Sequence, residues 1–250
     1  MKFNEVMKRE RRRFFQVAGF AAATFALGSL SFAVRAASDA TGKMKIGIVG
    51  SGRIGGTLGA LWVKAGHEVM FSSLDLEHDK ALAASLGTSA RAGTPREAAA
   101  FGEVLLLAVP YGALPQLGRD LADLIKGKVV LDACNPFPAR DGEIATWARA
   151  RGAGLASAEL LPGARIVRAF NAISYARLPE VARRQGERIG MPMAGDDANA
   201  IAVASRLVRE IGFEPVVIGP LAMGKHLIPG TPLAGEHTPE QIRQIAATLK

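Results

Sequence analysis

The sequence predicts an α/β fold, with a doubly wound, mostly parallel sheet and helices on both of its faces. Short apolar runs of the kind that form buried strands alternate with stretches whose apolar residues recur at helical spacing. A glycine-rich turn joins the first strand pattern to the first helix pattern. No linker-like stretch divides the chain after its first forty residues, so we expect a single compact domain.

Each element has a local signal. The predicted strands are short apolar runs, at 45–50, 68–72, 103–109, 128–132, 164–169, 188–194 and 215–218. The predicted helices have apolar residues at helical spacing, at 53–65, 78–101, 114–124, after 142, after 197 and at 238–249. A short extended piece near 89–91 interrupts the second helical stretch. The chain beyond 218 is too short for a second domain, so we expect only a short C-terminal extension.

The basic charge of the chain belongs mainly to its first segment. The net charge is +8, but residues 1–37 carry seven of the 31 Lys and Arg and two of the 23 acids, which leaves +3 for the rest. No basic stripe interleaved with aromatic residues follows. We therefore expect a small-molecule substrate and no nucleic-acid partner.

The first forty residues have the pattern of an export signal. Arg11-Arg12-Arg13-Phe14-Phe15-Gln16 resembles the twin-arginine motif, the run 14–34 is mildly apolar, and small residues near 36 offer a cleavage site. We predict a twin-arginine signal peptide over 1–37, a mature domain over 38–250 and a periplasmic or otherwise exported protein. After cleavage no stable membrane span is expected. The alternative is an uncleaved N-terminal anchor.

The glycine-rich turn is the strongest functional motif. Gly50-Ser51-Gly52-Arg53-Ile54-Gly55 matches G-x-G-x-x-G, directly after a strand pattern and at the start of a helix pattern. In this motif the first glycine permits the tight turn, the second lets the backbone approach a pyrophosphate, and the third brings the helix close to the strand. The free N–H groups of the helix start favour phosphate. We predict a Rossmann-like dinucleotide site; a glycine turn without a ligand is the alternative.

The end of the second strand indicates which dinucleotide binds. An NAD site usually carries Asp or Glu there for the ribose hydroxyls, whereas this chain has Ser72 and Ser73. Small hydroxyl residues suit a 2′-phosphate better than a carboxylate, which would repel it. NADP is therefore favoured over NAD, with Lys80 or Arg53 as the candidate positive charge.

These motifs together resemble the family of NADP-dependent oxidoreductases that reduce the deazaflavin coenzyme F-420. The resemblance runs from 44 to about 232, and its segments are 45–56, 107–111, 132–137, 167–173, 195–197, 219–221 and 227–233. The glycine loop is generic. The combination of Ala-Val-Pro, Arg-Ala-Phe-Asn and Gly-Asp-Asp at these separations is more specific.

The resemblance implies which residues hold the cofactor. Those against the pyrophosphate would be Ser51, Gly52, Arg53 and Ile54, beside the glycines Gly50 and Gly55. Those at the 2′-phosphate would be Ser72 and Ser73, although the second serine stands where a family member has Arg. Those around the nicotinamide would be Ala108, Val109, Pro110, Asn135, Asn171 and Ala172, with the second substrate stacking near the last two.

No catalytic residue is certain, and the candidates are Asn171 and His226. His226 falls where the family's substrate end is expected. The four histidines and Cys134 have no metal-ligand spacing, so we predict no metal site. Cys134 ends a buried strand and is interpreted as a small packing residue.

The resemblance implies hydride transfer between NADP(H) and a flat acceptor, with coenzyme F-420 or a flavin as co-substrate. Hydride transfer needs placement more than acid–base groups, because the cofactor carries the chemistry. The alternatives are a non-catalytic NADP(H)-binding sensor and a small-molecule NADP-dependent dehydrogenase. Such dehydrogenases usually append a helical domain, for which too little chain remains. Related single-domain proteins often pair, so a homodimer is possible.

Overall fold

The computed structural model describes residues 42–182 and 184–249. The predicted signal peptide lies outside the described residues. Within the described part of the chain, no helix is long and apolar enough to cross a membrane.

One sheet of eight strands forms the centre of the described domain. Its strands are β1 (Lys45–Val49), β2 (Glu68–Ser72), β3 (Ala90–Ala92), β4 (Val104–Leu107), β5 (Val129–Asp132), β6 (Arg165–Arg168), β7 (Gly190–Gly195) and β8 (Glu214–Gly219). Their spatial order is β3-β2-β1-β4-β5-β6-β7-β8. The pairs are parallel, except that β7 runs antiparallel to β6. The prediction of a mostly parallel, Rossmann-like sheet is confirmed.

The helices pack on both faces of this sheet. They are α1 (Arg53–Lys64), α2 (Leu76–Leu86), α3 (Pro95–Phe101), α4 (Leu114–Asp120), α5 (Ala122–Ile125), α6 (Pro138–Asp141), α7 (Glu143–Arg151), α8 (Ala153–Leu160), α9 (Leu178–Val181), α10 (Ala198–Glu210) and α11 (Pro239–Thr248). Two 3-10 helices cover Tyr111–Ala113 and Leu221–His226.

The extended piece predicted near 89–91 is β3, and it divides the helical stretch predicted over 78–101. Thr94 accepts from the backbone N–H of Glu97, and the Glu97 carboxylate accepts from the Thr94 backbone N–H. This reciprocal capping box starts a new helix. The helix predicted over 114–124 likewise breaks at Leu121.

Alternate residues of the central strands β1, β4 and β5 pack into two cores, one on each face of the sheet. Ile46, Ile48 and Leu106 pack with Leu58 and Trp62 of α1 on one face. On the other face, buried side chains of β1, β4 and β5 pack with the 3-10 helix and with α4 and α8; they include Val49, Leu105, Leu107, Val130, Tyr111, Leu114 and Ala156. Because both faces are buried, the strands read as continuous apolar runs, which is why they were predictable.

Candidate active site

The candidate site lies where neighbouring strands end. Val49, Leu107, Asp132 and Arg168 are register partners across β1, β4, β5 and β6, so these strands end side by side. The chain turns to one side of β1 to form β2 and to the other to form β4. Ligands of open α/β sheets bind in the crevice at this switch point.

The glycine loop at this edge has the geometry that the motif predicts. The backbone N–H groups of Gly50 and Ser51 donate to the Ser72 carbonyl at 2.8 and 3.1 Å. Gly50 has φ +98°, and a Cβ on Gly55 would lie 2.0 Å from the Gly50 carbonyl oxygen. A Cβ on Gly52, in contrast, would meet no atom within 4 Å. Glycine is therefore required at Gly50 by its positive φ and at Gly55 by close contact with the loop, whereas Gly52 faces open space.

The start of α1 is available to an anion. Gly52 is its N-cap, with no side-chain cap, and its first turn has no acidic residue. The N–H groups of that turn and the positive end of the helix dipole consequently face the loop without competition from a carboxylate.

A buried carboxylate lies beside the loop, and sequence reasoning missed it. Asp79, in the first turn of α2, is fully buried. It accepts hydrogen bonds from the hydroxyl of Ser51 and, at 2.9 Å, from that of Ser73. The Ser72 hydroxyl is fully buried and donates to the Ile48 carbonyl at 2.7 Å. The Ser72 hydroxyl is thus hydrogen-bonded within the protein. Of Ser51, Ser72 and Ser73, only Ser73 is partly exposed.

A cavity of about 700 Å³ opens beside the loop. Its walls come from the segments that follow β1, β4, β5 and β6 and from the chain near 229–235: Arg53, Ile54, Ala108, Val109, Pro110, Ala133, Asn135, Phe137, Arg140, Asn171, Ala172, Ile173, Ser174, Tyr175, Pro229, Ala234 and Gly235. The residues predicted to surround the nicotinamide therefore converge on this cavity. His226 lies on the second 3-10 helix and is not among its lining residues.

The residue before the cavity-lining Asn171 has a strained backbone conformation. Phe170 has φ +65°, the one positive φ of a non-glycine residue in the described part of the chain. Its ring is buried and packs edge-on against Trp62 and Phe213. Such backbone strain persists only where packing enforces it. Here the buried ring fixes the turn that brings Asn171 to the cavity.

A buried polar network supports the cavity wall. The Arg168 guanidinium donates to the Asp132 carboxylate at 2.6 Å, the Cys134 carbonyl at 3.1 Å and Asn135 Oδ1 at 3.4 Å. Asn135 Nδ2 donates to the Asn171 carbonyl at 2.9 Å. These bonds join the turns after β5 and β6 into one unit. Asn171 Oδ1 is buried and has no hydrogen-bond partner among the described residues.

Two arginine–aromatic pairs line the same cavity. Arg53 lies 5.0 Å from the ring centroid of Tyr175, and its Nη1 donates to the Tyr175 hydroxyl at 2.7 Å. Arg140 lies 5.1 Å from the Phe137 ring centroid. Both aromatic rings are more than a third exposed. The cavity thus combines an apolar wall with exposed ring faces and positive charge.

Arg140 is held in place by Asp141. Its Nε and Nη2 donate to the two Asp141 carboxylate oxygens at 2.9 and 2.8 Å. Burial alone would raise the pKa of Asp141, but the hydrogen bonds from Arg140 and from the backbone N–H of Phe137 and Gly112 outweigh it and lower that pKa. Asp141 is therefore ionised at neutral pH and orients Arg140 beside the cavity.

Other polar residues have structural roles. Asp197 caps α10 by accepting from the Ala200 N–H at 2.8 Å, and Asp196 accepts from the Leu221 N–H at 2.8 Å. Burial raises the pKa of the Cys134 thiol well above its usual value. In the described part of the chain, no group of His, Cys, Asp and Glu residues could hold a metal ion.

The sheet order and the glycine loop define a Rossmann-like domain with the loop geometry of a dinucleotide site. Residues 45–136 match the family described as "NADP oxidoreductase coenzyme F420-dependent". That segment, which includes the glycine loop and Asn135, is accordingly similar to NADP-dependent oxidoreductases.

The chain is similar to named reductases and to a solved structure. It is 31% identical to Metalloreductase STEAP3 of Rattus norvegicus over 73% of this chain and 35% of that protein, so it spans about a third of that relative. It is 28% identical to the F420-dependent NADP reductase of Methanothermobacter thermautotrophicus, over 76% of this chain and 87% of that protein. The crystal structure of hypothetical protein SMa0349 from Sinorhizobium meliloti superposes with a TM-score of 0.65, at 25% identity over 79% of this chain and 96% of that one.

Proposed function

We propose that this protein transfers a hydride between NADP(H) and a flat acceptor. The acceptor that we propose is a deazaflavin, such as coenzyme F-420, or a flavin. The observation that carries the proposal is the cavity beside the glycine loop. It joins a phosphate-binding helix start to an apolar space with exposed aromatic faces. The name of the Methanothermobacter relative supports a deazaflavin.

The residues present fit a dinucleotide at the pyrophosphate. Gly52 leaves open space where a side chain would block the backbone, and the first turn of α1 offers uncapped N–H groups. When bound, the dinucleotide supplies the hydride. The chain's own task is to place the two flat rings against each other and to exclude water.

The cavity residues suit that task. Ala108, Val109 and Pro110 form an apolar wall beside the loop, which excludes water from the reacting rings. The network of Arg168, Asn135 and the Asn171 carbonyl keeps the facing wall rigid. Rigid placement of two reactants can supply much of a rate enhancement without an acid–base pair.

The exposed rings and arginines support a flat, anionic acceptor. Phe137 and Tyr175 are partly exposed and can stack on a flat ring, and Arg53 supplies positive charge over the Tyr175 ring. Arg140 lies over the Phe137 ring with its charge paired to Asp141. Deazaflavin and flavin cofactors combine a planar ring system with phosphate. An open apolar cavity also favours an enzyme over a sensor, since a protein that only holds the dinucleotide has no need of a second site.

The test is an acceptor panel with the full-length chain. NADPH oxidation would be followed by loss of its reduced-nicotinamide absorbance, with coenzyme F-420, FMN and a ferric chelate as separate acceptors. We expect turnover with F-420 or FMN and none with the chelate alone. Binding of NADPH without reduction of any acceptor would contradict an enzymatic role and favour the sensor.

We also propose export by the twin-arginine route, and a homodimer stays a prediction from the sequence. Replacement of all three arginines at 11–13 with lysine should retain the protein in the cytoplasmic fraction, because the twin-arginine pathway reads the arginine pair. Unchanged export of this variant would contradict the proposal.

A further inference from the structure

The buried carboxylate of Asp79 occupies the place where dinucleotide sites distinguish NAD from NADP. That place is the end of β2, beside the glycine loop. The sequence has serines at the strand end, but α2 brings Asp79 back to them: its carboxylate accepts from Ser73 directly after β2 and from Ser51 in the loop. Its distance along the chain from the motif hides it from sequence reasoning.

The hydroxyl protons of this cluster all point into the protein. A hydroxyl has one proton to donate, and an ionised carboxylate only accepts. Ser51 and Ser73 donate to Asp79, and Ser72 donates to the Ile48 carbonyl. Ser51 and Ser72 are buried, so Ser73 is the serine of this cluster that can meet a ligand. Its oxygen accepts from the Asp75 N–H at 3.1 Å and offers its remaining lone pair, whereas a phosphate is itself an acceptor and requires donors.

The nearby positive charges are engaged elsewhere. Among the described residues, no Lys or Arg donates to Asp79 or Ser73. Lys80 pairs with Glu77 at 2.8 Å, and Arg53 donates to Tyr175 at 2.7 Å. A 2′-phosphate placed at Ser73 would therefore meet a carboxylate behind the serine and no opposing cation.

We propose that Asp79 sets the dinucleotide preference of this site and lets it use NADH alongside NADPH. A ribose 2′-hydroxyl can donate to the lone pair of Ser73, so NAD(H) gains a contact that NADP(H) lacks. NADP(H) makes the same pyrophosphate contacts. Its 2′-phosphate, however, does not gain the affinity that an arginine supplies in other NADP sites. Asp79 acts through the two serines and is a positioning residue. The inference rests on the proposed dinucleotide site and deepens it.

The test compares dissociation constants of NADPH and NADH for the full-length chain and two matched variants. Asp79→Asn removes the charge and adds an N–H donor at the same place. Asp123→Asn removes one charge from an exposed position on α5, where Asp123 pairs with Arg96. The ratio of the two constants is the readout, because general damage to the loop weakens both ligands equally. A third variant, Ser73→Arg, adds a cation at a partly exposed position if Asp79→Asn fails to fold.

We expect wild type to bind the two dinucleotides within about tenfold of each other, since specificity is a difference of two affinities. Asp79→Asn and Ser73→Arg should shift the ratio toward NADPH by about tenfold or more. Asp123→Asn should shift it by less than about twofold, because water screens this exposed charge. Wild type that binds NADPH over about a hundredfold tighter, or Asp79→Asn that leaves the ratio unchanged, would overturn the inference. If NADPH alone binds, only this inference fails; if neither binds, the proposed function fails with it.

Discussion

Arg168 and Asp132 face each other on neighbouring strands, and Nη1 of Arg168 donates to Oδ2 of Asp132 at 2.6 Å with both side chains fully buried. The pair lies directly beneath the turns that carry Asn135 and Asn171 to the cavity. Arg168 also donates to the Cys134 carbonyl and, at 3.3 Å, to the Leu227 carbonyl. One guanidinium thus fixes three segments at the carboxyl edge of the sheet.

Removal of one member of this pair should destabilise the fold strongly. Asp132→Ala leaves the Arg168 charge buried without its partner, and breaking a buried pair typically costs about 3–5 kcal/mol. The free energy of unfolding can be measured by urea denaturation. The control is Asp123→Ala, which breaks the exposed pair with Arg96 and should cost far less, because exposed ion pairs contribute little to stability. Equal losses in the two variants would contradict a structural role for the buried pair.

The thiol of Cys134 should be unreactive in the folded protein. Burial, reinforced by the charge of Asp132, raises its pKa, so the thiol is protonated and inaccessible at neutral pH. A thiol reagent such as Ellman's reagent should label it only after denaturant is added. Rapid labelling of the native protein would show that the turn after β5 opens readily.

The hydrogen bonds of Asp141 should make the stability of the fold depend on pH in the acidic range. The pKa of Asp141 is lower in the folded chain than in the unfolded chain. Its contribution to the free energy of unfolding is therefore complete above the unfolded pKa of about 4, and it is lost as the pH falls through the folded pKa. Asp141→Asn should therefore be less stable than wild type at pH 7. The difference should shrink toward about pH 2. A constant difference across this range, measured by thermal unfolding, would contradict the assignment.

Tyr175 should act on the acceptor more than on the dinucleotide. Its ring lines the cavity and is partly exposed, and loss of a stacking ring typically costs about 0.5–1.5 kcal/mol beyond its area. Tyr175→Ala should raise the KM for the flat acceptor by about three- to tenfold. Tyr175→Phe keeps the ring and should change that KM little. If both variants weaken NADPH binding alone, the ring belongs to the dinucleotide site.

The elements and the glycine loop could be predicted from sequence because their signals are local. Strands buried on both faces are apolar runs. The G-x-G-x-x-G turn is recognised by the spacing of its glycines and by its position between a strand pattern and a helix pattern. The strand order was not predicted, and the grouping of Ala108, Asn135 and Asn171 at one place was implied by the family resemblance rather than by a local pattern.

The features that were missed depend on contacts across the chain. Asp79 reaches Ser51 over 28 residues, Asp132 reaches Arg168 over 36, and Arg53 reaches Tyr175 over 122. No local pattern distinguishes these side chains from solvated surface charges. For the same reason the sequence could not show that the Ser72 hydroxyl is turned into the protein, or that His226 lies away from the cavity lining.

The central claim is that the glycine loop holds a nicotinamide dinucleotide for hydride transfer, and Gly52 tests it most directly. A Cβ there meets no atom of the described residues within 4 Å, so Gly52→Val should fold with a nearly unchanged melting temperature yet obstruct the pyrophosphate. Gly112→Ala is the control, because its Cβ would lie at ordinary contact distance, 3.6 Å from Asp141, outside the cavity lining.

The decisive measurement is the dissociation constant of NADPH for the full-length wild type, Gly52→Val and Gly112→Ala. The account predicts tight binding by wild type and Gly112→Ala and a loss of about a hundredfold or more in Gly52→Val, the scale of a blocked pyrophosphate contact. Equal binding by all three proteins, or no binding by wild type, would contradict it.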